Sequence, residues 1–358
     1  MRLPLGRLPA STTCSTQKQA DAEAPTRDRR GAAARRTALV LFALVLFALG
    51  VAGCGYIGRQ ATIFYLEVHS EFSPKEIEIE LDKTFVEAYK NRVTINAALT
   101  VDRAMKTPAA PSLDGDLHFA GRTPQVALIT VAELANAASF PRALALVHRA
   151  DSTGKPLQLS GVWRIWPEHS GSSKVEQGRV VAPTDSYRPN HVFEIHPVTQ
   201  VNRESLLESF TPVPGFSPGD ARETFEIYEK TPCKLLVKPN TISIVTRKGL
   251  YNDVEFLMEI TGDQPLVVED GRFVMASALD LKGGLRAEHV RIVFAKGTAP
   301  ERAVRRLRRG ARLHVVGMPR VSFAEVLNRV RDSATDPGQL TRTIPYEIVV
   351  VGVFKDAP

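Results

Sequence analysis

Leu157-Gln158-Leu159-Ser160-Gly161-Val162-Trp163-Arg164 and Leu313-His314-Val315-Val316-Gly317-Met318-Pro319-Arg320 follow one pattern, 156 residues apart. Each opens on leucine, carries glycine fifth and closes on arginine. A second pair keeps the same offset: Asp114-Gly115-Asp116-Leu117-His118-Phe119-Ala120 returns as Asp270-Gly271-Arg272-Phe273-Val274-Met275-Ala276. A third, Phe193-Glu194-Ile195 with Tyr346-Glu347-Ile348, is offset by 153, a shift that a small loop deletion produces. Separated matches at one offset are the mark of an internal repeat, so the chain is read as a fold used twice.

Local patterning runs the same way in both halves. Arg92–Val101 alternates apolar and polar residues as a half-buried strand does, and Asp114–Ala120 follows from an Asp-Gly turn. Thr130-Val131-Ala132-Glu133 has the form of a capping box, which predicts a helix from Thr130 that bends at Pro141 and runs to about Arg149. Strands Pro156–Trp166 and His191–Gln200 complete the half. In the second half, Leu235–Val245, Asn252–Ile260, Asp270–Leu279 and Val290–Ala295 read as strands. A helix opens at Thr298-Ala299-Pro300-Glu301 and stops at Gly310, and strands Ala311–Val316 and Tyr346–Phe354 follow.

Strands, a helix, then two strands is an order that resembles the oligonucleotide/oligosaccharide-binding (OB) barrel. The resemblance implies a mainly β fold with α insertions (α+β): two similar OB-like barrels, each with a helix before its last two strands. Residues 62–200 form the first and 222–358 the second. The proline-rich segment 201–221, with Pro-Gly-Phe-Ser-Pro-Gly-Asp, is the expected linker. A β-sandwich is the competing arrangement. The Asp-Gly-Asp-Leu-His strand also looks like one found in small exported bacterial barrels.

The front of the chain carries an address. An uncharged apolar run, Thr37–Gly53, follows Arg35-Arg36 and ends in Val51-Ala52-Gly53-Cys54. This resembles the signal sequence and lipobox of a bacterial lipoprotein, which implies lipidation at Cys54 and export of the rest. The run would span roughly 26 Å as a helix against a hydrocarbon core of about 30 Å, so an uncleaved signal anchor is the alternative. Both readings put residues 37–54 in or at a membrane, and the basic flank sends the body outward. Residues 1–36 read as a disordered basic leader.

Charge follows that partition. The formal net charge of the whole chain is +7. Residues 1–53 hold eight basic and three acidic side chains, leaving 38 against 36 for the remainder, a net of +2. A nearly balanced body argues against nucleic acid as a partner. Of the three cysteines, Cys14 lies in the leader and Cys54 at the lipobox. Cys233 alone is left in the body, so neither a disulfide nor a cysteine metal site is expected there.

Candidate chemistry concentrates in Gly161–Val198, which holds both tryptophans and three of the eight histidines. Trp163, Arg164, Trp166, His169, His191 and Glu194 are the candidate ligand-binding residues, aromatic faces beside a guanidinium suiting sugars or bases. The competing reading packs a tryptophan into the barrel, since residues three apart on a strand cannot share a face. His191 and His196 fall on opposite faces of a regular strand, which disfavours one metal between them. Glu194 and His196 share a face. No residue is assigned as catalytic, no metal ligand and no cofactor is expected, and Gly283-Gly284 reads as a hairpin turn. Arg302, Arg305, Arg306 and Arg309, spaced i, i+3, i+4, i+7, predict a basic helical stripe that could meet anionic headgroups, or a solvated face. The function expected is a membrane-anchored envelope module that binds an oligosaccharide, peptide or envelope protein, or acts as a scaffold. A secreted hydrolase or nuclease using the His/Glu cluster is the alternative.

Overall fold

The computed structural model describes residues 76–332 and 340–355. The leader, the apolar segment 37–54 and Cys54 lie outside them. The described chain opens with β1 (Glu76–Asp82) and α1 (Lys83–Tyr89). Then come β2 (Thr94–Ala104), β3 (Leu117–Arg122), β4 (Ile129–Leu134), α2 (Pro141–Thr153), β5 (Leu157–Ile165), β6 (Lys174–Glu176), β7 (Phe193–Val201) and β8 (Glu204–Ser205). Helix α3 (Ala221–Lys230) and the hairpin β9 (Pro232–Val237) and β10 (Thr241–Arg247) follow. The second half continues with β11 (Val254–Ile260), β12 (Leu266–Val268), β13 (Gly271–Leu279), β14 (Leu285–Ala295), α4 (Ala299–Val304) and β15 (Arg312–Val321). It ends with α5 (Phe323–Asp332), β16 (Leu340–Thr343) and β17 (Tyr346–Val353).

Two five-stranded barrels close in the same way. In the first, β2 pairs with β3 and β5, β3 with β4, and β5 with β7; parallel pairing of β4 with β7 completes the ring. In the second, β11 pairs with β13 and β15, β13 with β14, β15 with β17, and parallel β14–β17 closes it. This is the OB strand order twice, with a helix between the third and fourth strands of each barrel. Closure rules out the sandwich, because neither ring leaves a free edge among its five strands. The repeated octapeptides are the fourth strands, β5 and β15. Their glycines occupy equivalent tight points: a Cβ on Gly161 would strike Ile195 Cγ2, and one on Gly317 would strike Ile348 Cγ2.

A third sheet, unforeseen in the sequence, binds the barrels together. Its order is β16-β9-β10-β1-β6. Strand β6 comes from the loop between β5 and β7, and β16 from the loop between β15 and β17. Each barrel therefore lends the same loop to an opposite edge of one sheet. The expected single strand Leu235–Val245 is in fact the β9–β10 hairpin, turned at Pro239-Asn240 so that Ile242 faces Val237. The segment 201–221 is not a free linker, since Phe210 within it is fully buried.

Two helix boundaries differ from expectation. Ile129–Leu134 is strand β4, and Thr130 Oγ1 donates to Leu128 O at 3.2 Å instead of capping a helix. Its β-branched residues pair with β3 on one side and β7 on the other, and this tertiary pairing overrides a local capping signal. Pro141 starts α2 rather than bending it, a position where its missing N–H costs nothing. Helix α4 stops at Val304, well before Gly310, although Thr298 caps it as expected by accepting from the Glu301 amide at 3.3 Å. No helix among the described residues is long and apolar enough to cross a membrane.

Candidate functional site

Polar residues on the outer face of the first barrel converge at its junction with the second. Along β3, Leu117 and Phe119 enter the apolar core, so alternation turns His118 outward, with Asp116 just before it. Gly115, at φ +74°, makes the turn before the strand, and the Asp116 amide donates to Asp114 Oδ1 at 3.0 Å. The register sets His118 opposite Glu133 of β4, and Val131 opposite Glu194 of β7. His196, two residues beyond Glu194, shares its face. Asp116, His118, Glu133, Glu194 and His196 are all buried.

The cluster is tightly linked. His196 Nε2 lies 2.9 Å from Asp116 Oδ2, and its Nδ1 lies 3.1 Å from Glu133 Oε2. The other oxygen of Glu133 is 3.1 Å from His118 Nδ1. Arg188 Nη2 reaches His118 Nε2 at 2.7 Å. Glu194 is bound by Arg164 and, at 3.0 Å, by His191 Nε2.

Burial opposes charge on every one of these groups, and their neighbours decide the outcome. For His118, Glu133 and Asp114 more than offset burial and raise the imidazole to about 10. His196 is raised to about 9 by Glu133 and Asp116, again against burial. Glu133 is lowered to about 2, since the two histidines outweigh its burial. Glu168 goes the other way: burial, reinforced by Glu194 and Asp253 and opposed by Arg164, pushes it up to about 8. Asp253 is raised by burial to about 6.

Beside this cluster lies a cavity of about 310 Å³. Its polar wall includes Asp114, Asp116, His118, Glu133, Arg188 and His196. The opposite wall is largely apolar and comes from the 212–218 segment and the second barrel, through Val213, Phe216, Met318, Val351 and Phe354.

The structure redistributes the residues singled out in the sequence. Trp163 and Trp166 are both buried, at 0% and 2% exposure, so neither offers a face for stacking a ligand. Trp163 stacks on Phe323 at 4.6 Å and carries the Arg320 guanidinium over its ring at 3.8 Å; Trp166 Nε1 donates to Tyr251 O. Trp163 lies within β5 and Trp166 just past its end, and both are packed into the same core. Arg164 is buried as a structural cation, donating to Pro319 O at 2.8 Å. His191 orients Glu194 and stacks on His169 at 5.2 Å; of these two only His169 lines the cavity.

The arginine stripe does not form one helical face, because the helix ends before Arg305. Arg305 is held by Glu301 at 2.7 Å, Arg309 by Asp263 at 3.1 Å and Arg302 by Glu208 at 3.3 Å, while Arg306 is exposed. Cys233 is a buried thiol, pushed up to about 12 by burial.

Sequence reasoning missed Asp116, His118 and Glu133 as site residues. The alternation Asp114-x-Asp116-x-His118 was the available signal, while Glu133 was masked by its resemblance to a helix cap. Gly215-Phe216-Ser217-Pro218-Gly219 fits the Gly-x-Ser-x-Gly string of serine hydrolases. Ser217 is exposed in a loop that precedes α3 and does not follow a strand, so the string lacks the strand–turn–helix setting that such a nucleophile needs. No protein-family model and no curated protein matches the chain.

Proposed function

We propose that the chain is an exported, membrane-tethered binding or scaffold module of the bacterial envelope, and that its ligand enters the cavity between the barrels. The cavity carries this reading. One wall is apolar and the other presents convergent polar groups, the division of labour by which small-molecule sites gain affinity from one surface and orientation from the other. Its volume, about 310 Å³, lies at the small end for such sites. A sugar ring or the end of a peptide fits it better than a long chain does. The lipobox-like Val51–Cys54 supports the address.

Calorimetric titration of the full-length protein in detergent with envelope glycan fragments and short peptides tests the reading. One class should bind saturably, and Val213→Trp, which fills the cavity from its apolar side, should abolish that binding. A silent panel, or unchanged binding by Val213→Trp, removes the proposal. The address is tested separately, by intact mass of membrane-extracted protein, expected to begin at Cys54 with acyl groups attached.

A secreted hydrolase or nuclease is the second reading, favoured by the carboxylate–imidazole contacts Asp116–His196 and Glu133–His118 at the cavity wall. It requires turnover of generic phosphodiester or glycoside substrates that falls at least a hundredfold in His196→Gln.

A further inference from the structure

Resting on the cavity reading above, we propose that the ligand carries a protonated amino group, received by Asp253 together with Glu168. Three carboxylates and three cations on the cavity wall already neutralise one another. Asp116 lies 2.9 Å from His196, Glu133 lies 3.1 Å from both His118 and His196, and Asp114 lies 3.9 Å from His118 and Arg188. Asp253 and Glu168 line the same cavity and are left without a cation of their own. Asp253 forms no ion pair among the described residues, and its Oδ1 accepts from the Gly219 amide at 2.7 Å. Glu168 Oε2 stands 3.5 Å from Arg164 Nη2 without a hydrogen bond, and Arg164 is committed to Glu194 and the Pro319 carbonyl. Glu168 Oε1 lies 3.4 Å from His169 Nε2, but burial lowers that imidazole to about 4, so it is neutral at physiological pH.

What this wall lacks is donors. Asn252 Oδ1, next to Asp253 in the chain and on the same cavity, is also buried and accepts no hydrogen bond. An ammonium group brings three donors and one positive charge, and its bonds to carboxylates are of the stronger, charge-assisted kind. A carboxylate or phosphate at the same place would meet like charge. Burial, only partly opposed by Arg164, raises Glu168 to about 8 and Asp253 to about 6, as befits carboxyls in want of a counter-charge. The loop that carries Asp253 is fixed ahead of β11, because Tyr251 O accepts from Trp166 Nε1 at 3.0 Å and from Tyr228 Oη at 2.9 Å. Val213, Phe216 and Met318, also on the cavity wall, suit an apolar body attached to the amine.

Calorimetry of the full-length protein in detergent with glucosamine and with leucinamide tests this, the two standing for an amino sugar and for the amino terminus of a peptide. Each is paired with its hydroxyl counterpart, glucose or 2-hydroxy-4-methylpentanamide, which keeps the size and lacks the charge. One amine should bind saturably and about tenfold or more tighter than its counterpart, and the one that does identifies the source. Asp253→Asn and Glu168→Gln should each weaken that binding by about tenfold or more. Two silent amines, or hydroxyl counterparts bound equally well, overturn the proposal even if the variants fail to fold. Folded variants that bind the amine as the wild type does overturn it equally. A ligand without an amino group whose binding Val213→Trp abolishes would leave the cavity reading standing and remove the ammonium. Amine binding unchanged by Val213→Trp would remove the cavity reading as well.

Discussion

Arg164 and Arg320 hold each other's strands reciprocally: Arg164 Nε donates to the carbonyl of Pro319 at 2.8 Å, and Arg320 Nη1 donates to the carbonyl of Trp163 at 3.0 Å. Each arginine thus bonds the residue that precedes the other. Each also pairs with the glutamate across from it on the last strand of its own barrel, Arg164 with Glu194 and Arg320 with Glu347. The repeat detected in the sequence is therefore an approximate two-fold relation in space, with the two fourth strands back to back at its centre. Burying four charges is costly unless every one is paired. The reciprocal bonds meet that condition with backbone oxygens that the two barrels offer each other.

Replacing either arginine by lysine should cost about 1.5–3 kcal/mol, because lysine keeps the charge but cannot reach carboxylate and carbonyl together. Since the two bonds share one interface, R164K and R320K should not add. Urea denaturation of the single and double variants should give a coupling energy of about 0.5–3 kcal/mol. Additivity would mean that the two bonds act independently.

Gly161→Ala and Gly317→Ala should destabilise by similar amounts, each about 1–3 kcal/mol. A methyl group at either position runs into the equivalent isoleucine, Ile195 or Ile348. Thermal melting of both variants checks this, and an effect at one site alone would contradict the equivalence of the fourth strands.

Stability should fall with rising pH through Glu168. Its pKa is raised from 4.5 to about 8, chiefly by burial, so the unfolded chain releases its proton well before the folded protein does. The stabilisation is complete below about pH 4.5 and is lost as pH rises towards 8. Glu168→Gln cannot ionise. Its urea midpoint should gain on the wild type steadily between about pH 5 and pH 8, and a constant difference across that range would refute the assignment.

Glu301 should act in the opposite sense. Burial would raise its pKa, but hydrogen bonds from Arg305, the Gly297 amide and Arg272 outweigh it and lower the carboxyl to about 2. Its contribution is present above about pH 4.5 and disappears as pH falls towards 2. Thermal melting in that acid window should show a shallower pH dependence for Glu301→Gln than for the wild type.

Much of the architecture could be read before any contact was known. The octapeptides ending in Arg164 and Arg320, the Asp114-Gly115 turn and the Thr298 cap are local patterns, and each lies where its pattern placed it. Glu133 shows where such reading fails. Thr130-Val131-Ala132-Glu133 satisfies a helix cap in isolation, and only the pairing of β4 with both β3 and β7 makes it a strand. The third sheet was illegible for a related reason, since β6 and β16 are three- and four-residue strands that exist through their partners.

The candidate site divides in the same way. Alternation already put Asp116 and His118 on the face away from Leu117 and Phe119, and a polar strand face ordinarily meets water. Packing of the second barrel and the 212–218 segment against that face converts it into a buried cluster with displaced pKa values. The same packing takes both tryptophans out of reach of a ligand. Periodicity and turn chemistry act between residues a few positions apart, so they are written in the chain itself. Burial and charge pairing depend on which distant surfaces meet, and those emerge only when the two barrels close on each other.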